Sequence, residues 1–406
     1  VFELANHKKG PVHLNIPMEE PLYGMTTTPI PLPSRIKQAA INKKNDVYKL
    51  QSLWSKAKRK MILVGVSNPD AALSSVLSVL LEDPSVVVLT EKTSNFSHPK
   101  AIGAIDCLMA PLEIETQNQA DLQPDILITI GGMVVSKKIK FYLREHKAKN
   151  HFHLGKTTAN DTFFYLTQHI DAPAASTLSS LEMGNKSNYQ SNVLSHCNRY
   201  LETAAGYLKK VPFSDLRVFN MITTALPQNT HLQVANSSAV RYIQLFDLPT
   251  GTEVYCNRGT AGIDGSTATA IGAAQINTKQ TVLITGDLSF FYDINGLWNS
   301  YIPNDARIIV INNQGGGIFR ILPGEKDTPK YDTYFETIHN RSARNVAKSF
   351  GLGYKRVQTN WGLKQALKSF FKPSTKAKIL EIYTPRKINN LVLLDYFKAM
   401  VKNKLN

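Results

Sequence analysis

"GDLSFFYDINGLWNSYIPNDARIIVINNQGGGIF", residues 286–319, joins the ends of two apolar runs. TVLIT (281–285) leads into Gly286-Asp287, and RIIVI (307–311) leads into Asn312-Asn313 and a glycine triplet, Gly315-Gly316-Gly317. Asp287 and Asn313 stand 26 positions apart. That interval suits a strand end, a helix, a return strand and a second strand end, which predicts a parallel α/β unit.

The same rhythm continues outward on both sides. MILVGV, VVVLT, DILITIGG and HFHLG are short apolar runs separated by helix-length intervals, between about residues 60 and 155. THLQVA, EVYCN, TVLITG, RIIVIN and KILEIY form a second set beyond Val211. The fold class is therefore α/β, with two doubly wound parallel-sheet domains. Residues 1–30 differ: PVHLNI reads as a short strand, followed by the proline-dense exit Pro17, Pro21, Pro29, Pro31 and Pro33.

Polar residues collect at the strand ends of the second set. They are Asn236-Ser237-Ser238, Asn257-Arg258-Gly259, Gly286-Asp287 and Asn312-Asn313. Open parallel sheets bind ligands beyond the carboxyl ends of their strands, so four such clusters point to one site. In the first set only GGMVVSKK, with Lys137 and Lys138, is comparable.

The 406 residues are 43% hydrophobic and 19% charged, with a net charge of +16. No apolar run reaches the ~18 residues of a membrane span. The opening Val1-Phe2-Glu3-Leu4 lacks the basic start and apolar core of a signal peptide. Cys107, Cys197 and Cys256 are far apart, as expected of reduced thiols in a cytoplasmic protein. The basic charge fits a solvated Lys-rich surface or an anionic substrate. No zinc finger, RNP-type motif or basic heptad helix accompanies it, so no nucleic-acid partner is expected.

Several common motifs fail. Gly155-Lys156-Thr157 lacks the earlier glycine of a P-loop, because position 150 is Asn. Gly351 and Gly353 begin a dinucleotide fingerprint that Arg356 breaks. There is no HExxH and no GxSxG.

Asp287 offers a charged hard oxygen, Asn313 an amide oxygen and Gly315 a backbone carbonyl. Mg²⁺ takes such oxygen ligands and completes its shell with water and phosphates. The same residues also fit an Asp-capped helix and an ordinary Asn-Gly turn.

A GD followed by about 25–30 residues and then NN resembles the thiamine-diphosphate enzymes. The usual GDG of that family is GDL here, followed by Ser289. The GDLS form is similar to one class among them, the 2-succinyl-5-enolpyruvyl-6-hydroxy-3-cyclohexene-1-carboxylate synthases of menaquinone biosynthesis. "NSSAVR", "NRGTAGIDG", "GDLSFFYDINGL" and "NNQGGGIFRILP" resemble, in order, that class's diphosphate-binding domain, and "GPVHLNIPMEEPLYG" the end of its pyrimidine-binding domain. The resemblance implies residues 1–30 as the tail of a pyrimidine domain, 31–195 as a central domain and 196–406 as the diphosphate and metal domain. It implies thiamine diphosphate and Mg²⁺ (or Mn²⁺) as cofactors, and a homodimer or homotetramer.

The implied reaction is decarboxylation of 2-oxoglutarate and conjugate addition of the resulting four-carbon carbanion to isochorismate. Asp287, Asn313 and the Gly315 carbonyl are then the metal ligands. Gly286, Ser289, Gly315, Gly316 and Gly317 line the diphosphate, and Ile263 is the aliphatic residue that bends the cofactor. Ser237, Arg241, Arg258, Lys137, Lys138 and Ile318 face substrate, with Phe319 beside Ile318 as an apolar wall. Ile263 also reads as an ordinary core residue, and the two lysines as a solvated pair. The family's activating glutamate lies in the pyrimidine domain of a neighbouring subunit, so no catalytic residue is assignable here and these residues are expected not to turn over alone. Another thiamine-dependent 2-oxoacid decarboxylase or synthase and a non-catalytic cofactor scaffold are the alternatives. Arg241 and Arg258 argue against the first, because small neutral substrates do not need them.

Overall fold

The structure is a computed structural model that describes residues 12–17, 27, 29, 47–156, 159–184, 186–321, 328 and 330–401. It contains two all-parallel sheets. The first has the order β2-β1-β3-β4-β5, from β1 (Lys60–Val64), β2 (Val86–Thr90), β3 (Ile126–Ile130), β4 (Asn150–Leu154) and β5 (Gln168–Ile170). The second has the order β10-β11-β9-β8-β6-β7. Its strands are β6 (His231–Val234), β7 (Glu253–Tyr255), β8 (Thr281–Gly286), β9 (Arg307–Asn312), β10 (Gly353–Val357) and β11 (Lys378–Tyr383).

The central strands are apolar on both faces, so helices must cover both. β1, β2 and β3 are buried along their whole length, as is β9. Each buried Val, Leu or Ile contributes roughly 1.5–3 kcal/mol. This favours a doubly covered sheet over a half-exposed one.

The two sheets share one core. A single apolar cluster runs from Met61, Leu63 and Leu127 of the first sheet, through Tyr200 and Ala204, to Leu232, Ile284, Ile309 and Leu380 of the second. Tyr200 and Ala204 belong to the 22-residue helix Tyr189–Lys210, which crosses the 195/196 boundary expected from sequence.

Two edge strands have no counterpart in the sequence reading, β5 and β10. β5 has three residues, and β10 carries exposed Lys355 and Arg356. Polar edges of this kind discourage pairing with another chain and hide the apolar pattern. Residues 12–16, the described part of the expected strand PVHLNI, carry no regular structure and are exposed. No strand partners them among the described residues, and a strand needs a ladder. Most of the proline-rich exit and the rest of the 10–24 motif lie outside the described residues.

Candidate active site

The order of the second sheet reverses at β6. The chain leaves β6 for β7 on one side and returns as β8 on the other. Ligands bind in the crevice beyond such a switch point. The register pairs Val234 of β6 with Ile284 of β8, and Gly286 of β8 with Ile311 of β9. Asn236, Asp287 and Asn313 consequently emerge one or two residues later at the same end of the sheet.

A cavity of about 590 Å³ lies there. Its lining includes Lys137, Ser237, Arg241, Arg258, Ile263, Gly286, Asp287, Ser289, Asn313, Gly315, Gly316, Gly317, Ile318 and Phe319. All but one of the residues expected from sequence are thus brought together. A larger groove of about 750 Å³ runs between the helices Asp215–Ala225 and Asn360–Phe370. It meets none of the strand ends, so we place the site in the smaller cavity.

Lys138 is the exception. Its ammonium pairs with Glu113 instead of facing the cavity. Successive residues of a helix point about 100° apart. Once Lys137 at the start of the helix Lys137–Glu145 faces inward, Lys138 must turn aside. The loop before them is held by Glu91, a buried carboxylate that accepts from the backbone N–H groups of Val135 and Ser136, both at 2.7 Å. Burial pushes the Glu91 pKa up to about 7. Ser136 caps the helix by accepting from Ile139 N, and donates to Asp106 at 2.5 Å. In this way an element of the first sheet presents a cation to a site built on the second.

Asp287 is 2% exposed and begins the helix Asp287–Tyr292. Its Oδ1 accepts from Leu288 N at 2.7 Å and its Oδ2 from Gly315 N at 3.0 Å. The first contact is local, to the next residue of the helix. The second ties the carboxylate to the glycine triplet and goes beyond a simple helix cap.

His339 Nδ1 accepts from Arg341 N, which leaves the proton of a neutral ring on Nε2. Nε2 lies 3.3 Å from Asp287 Oδ2 but is not aligned for a hydrogen bond.

Gly315 has φ +148°, and a Cβ there would sit 2.5 Å from the Glu336 carbonyl oxygen. Only glycine fits this approach. Glu336 is wholly buried and is paired with Arg320 and Arg386. Its carbonyl accepts from Gly316 N at 2.6 Å, so the triplet rests on a fixed platform. Ser237 and Ala261 also carry positive φ, 69° and 58°. Non-glycine residues in that region mark backbone strain held by its surroundings.

The Ser289 hydroxyl donates to the Ile263 carbonyl at 2.6 Å, so it fixes the cavity wall beside Ile263. Arg241 donates to the Ser237 carbonyl at 2.6 Å. Burial, then the charge of Arg258, pull the Arg241 pKa down. Arg258 donates to Asn236 Oδ1 at 2.8 Å, while its Nε–H is buried without a partner. Two cations in one half-dry cavity, one with an orphaned donor, call for an anion.

Sequence reasoning missed the layer behind these groups. Asp215, Thr384, Glu336 and His339 each touch a cavity residue or its platform, yet none lies in a motif. Among the described residues no three His, Cys, Asp or Glu side chains gather as a metal cluster. A site of one carboxylate, one amide and one carbonyl is not a set of that kind. The three cysteines are free, and no helix of the described residues is long and apolar enough to cross a membrane.

Comparison with known proteins agrees with this architecture. Residues 237–382 match the family described as "Thiamine pyrophosphate enzyme, C-terminal TPP binding domain". The 2-succinyl-5-enolpyruvyl-6-hydroxy-3-cyclohexene-1-carboxylate synthase of Flavobacterium psychrophilum is 44% identical over 98% of this chain and 73% of its own length. The enzymes of that name from Christiangramia forsetii and Flavobacterium johnsoniae are 42% and 41% identical, over 98% of this chain and 70% and 73% of theirs. The chain therefore belongs to the 2-succinyl-5-enolpyruvyl-6-hydroxy-3-cyclohexene-1-carboxylate synthase family, the thiamine-diphosphate-dependent enzymes of menaquinone biosynthesis.

Proposed function

We propose that this cavity is the diphosphate half of a carboligase site that joins 2-oxoglutarate to isochorismate. The observation that carries the reading is the meeting, in one cavity, of Asp287, Asn313 and Gly315 with three cations, Lys137, Arg241 and Arg258.

The residues fit the group. Asp287 Oδ2, Asn313 Oδ1 and the Gly315 carbonyl are hard oxygens that suit Mg²⁺ or Mn²⁺. The Gly315 carbonyl accepts from Gly317 N at 3.0 Å and keeps a second lone pair. The backbone around 315–317 comes close because no side chain intervenes. Thiamine diphosphate, when bound, supplies the electron sink for decarboxylation and carbon–carbon bond formation.

The chain's own residues bind, orient and desolvate. Arg241, Arg258 and Lys137 neutralise the carboxylates of both substrates. A carboxylate taken by Arg258 would satisfy the buried Nε–H that has no partner in the chain. Ser237, held in its strained turn, presents a hydroxyl beside them. Ile263 would pack against the cofactor, and Ile318 and Phe319 form a dry wall that strengthens the charge pairs nearby. A small 2-oxoacid with a single carboxylate would leave most of the three cations uncompensated, which disfavours other thiamine-dependent decarboxylases.

The long helix Tyr189–Lys210 is read as the connector of a central domain (31–195) and a diphosphate domain (196–406). Trp298 and Tyr301, 76% and 71% exposed in the segment after the helix Asp287–Tyr292, support assembly as a homodimer or homotetramer. Three free cysteines support a cytoplasmic location.

Calorimetric titration of thiamine diphosphate into the chain tests the reading. Binding should require Mg²⁺ and should vanish with EDTA or in Asp287→Ala. Metal-independent binding of equal strength in that variant would remove Asp287 from the site.

A further inference from the structure

Asn313 can ligate a metal only if its amide is turned the right way. Its carbonyl and amino ends are nearly the same size, and only hydrogen bonding tells them apart. In this structure Asn313 Nδ2 donates to Asp215 Oδ2 at 3.0 Å. An ionised carboxylate has no proton to give and accepts only. It therefore selects the orientation in which the NH₂ points inward and Oδ1 points away from it. Among the described residues no donor meets Asn313 Oδ1, which stays free for a ligand.

Asp215 is itself well fixed. It is 2% exposed. Its Oδ1 accepts from the Thr384 hydroxyl at 2.5 Å, just past the end of β11. Its backbone N–H donates to Asn389 Oδ1 at 2.9 Å, at the start of the helix Asn389–Ala399. It opens the helix Asp215–Ala225, capped by Ser214, where the helix dipole favours a negative charge. Three elements distant in sequence thus converge on one residue beside Asn313, two of them on its carboxylate. Such an arrangement is costly unless every partner is present. Helix capping alone accounts for neither the Asn313 nor the Thr384 contact.

We propose that Asp215 is a positioning residue for the metal site: it locks the Asn313 amide with Oδ1 toward Asp287. This rests on the reading of Asn313 as a metal ligand. Outer partners that orient ligands are typically worth about 10- to 100-fold in metal affinity. Asp215→Asn puts an amide where the acceptor was and lets Asn313 turn over.

The test is Mn²⁺ affinity of the full chain with thiamine diphosphate present, read from the paramagnetic resonance signal of free Mn²⁺. Asp215→Asn should weaken Mn²⁺ by about 10- to 100-fold, and Asn313→Ala by at least as much. The double variant should be no weaker than Asn313→Ala alone, because a residue acting through Asn313 has nothing left to orient. A purely structural role would instead add its effect in both backgrounds.

Thr384→Val keeps the carboxylate and frees one of its oxygens. It should weaken Mn²⁺ by a few-fold, again only when Asn313 is present, and it carries the test if Asp215→Asn does not fold. Unchanged affinity in either variant, with Asn313→Ala impaired, overturns the role of Asp215. Unchanged affinity in Asn313→Ala removes the ligand reading and the proposal with it.

Discussion

Gly315→Ala probes the cradle at its tightest point. A Cβ at this position meets the Glu336 carbonyl oxygen at 2.5 Å and Glu336 Cγ at 3.3 Å. Neither can yield easily, because Glu336 is wholly buried between Arg320 and Arg386. Overpacking of this kind costs about 1–3 kcal/mol, and a side chain at positive φ about 1–2 kcal/mol more. The loop can escape by lifting off Glu336, at the expense of the Gly316 N–H bond to that carbonyl and the Gly315 N–H bond to Asp287. Strain relieved in the free protein reappears as lost affinity when the cradle must re-form. A lower figure of about 2 kcal/mol corresponds to a loss of about 30-fold. Calorimetry of thiamine diphosphate binding in saturating Mg²⁺ should show at least that, while the melting temperature of the free chain falls by only a few degrees. An alanine variant that binds the cofactor as tightly as the parent would refute the argument that this approach builds the site.

Three further outcomes follow from other parts of the structure. Arg258→Ala should weaken 2-oxoglutarate and isochorismate by about 10- to 150-fold, the value of a charge-assisted contact, and leave thiamine diphosphate affinity unchanged; equilibrium binding of each ligand checks this. The buried rings of His151 and His153 share the Thr129 hydroxyl, at 2.9 and 3.0 Å, and each has a second nitrogen without a partner. Burial pushes both pKa values down to about 4 from the ordinary 6.5, with His169 reinforcing the effect on His153 and Asp161 opposing it on His151. The unfolded chain therefore binds more protons between those values. Stability is full above about pH 6.5 and is lost as pH falls toward 4, by about 2 kcal/mol per ring at pH 5. Urea denaturation at pH 7 and 5 should show that loss, and His153→Gln should reduce it. Lys60 and Asp83 form a buried pair at 3.1 Å, both nearly inaccessible. Asp83→Ala should cost about 3–5 kcal/mol, read from the same denaturation curves.

What the sequence makes legible here has a physical pattern. β1, β2, β3, β8 and β9 are apolar on both faces, so each appears as an unbroken hydrophobic run. β5 and β10 lie at sheet edges, where short length and exposed Lys355 and Arg356 erase that signal. Asp287, Asn313 and the glycine triplet stand at strand ends in recognisable motifs, and the switch point at β6 gathers them. Lys137 and Lys138 are identical in sequence terms, and only helix phase decides which one faces the cavity.

Asp215 offers no local sign of its role, because Ser214-Asp215 reads as an ordinary helix start. Its partners Asn313 and Thr384 lie 98 and 169 positions away. Glu336 and His339 are hidden for the same reason: their roles come from tertiary contact, which no local spacing encodes.

The central claim is that one metal ion joins the diphosphate of the cofactor to the ends of β8 and β9. Crystals of the chain grown with thiamine diphosphate and Mn²⁺ test it through the anomalous signal of the metal. The account predicts one peak about 2–2.3 Å from Asp287 Oδ2, Asn313 Oδ1 and the Gly315 carbonyl oxygen, with the diphosphate completing its shell. A bound cofactor whose metal lies away from Asp287 and Asn313, or a diphosphate in this cavity with no metal at all, would contradict it.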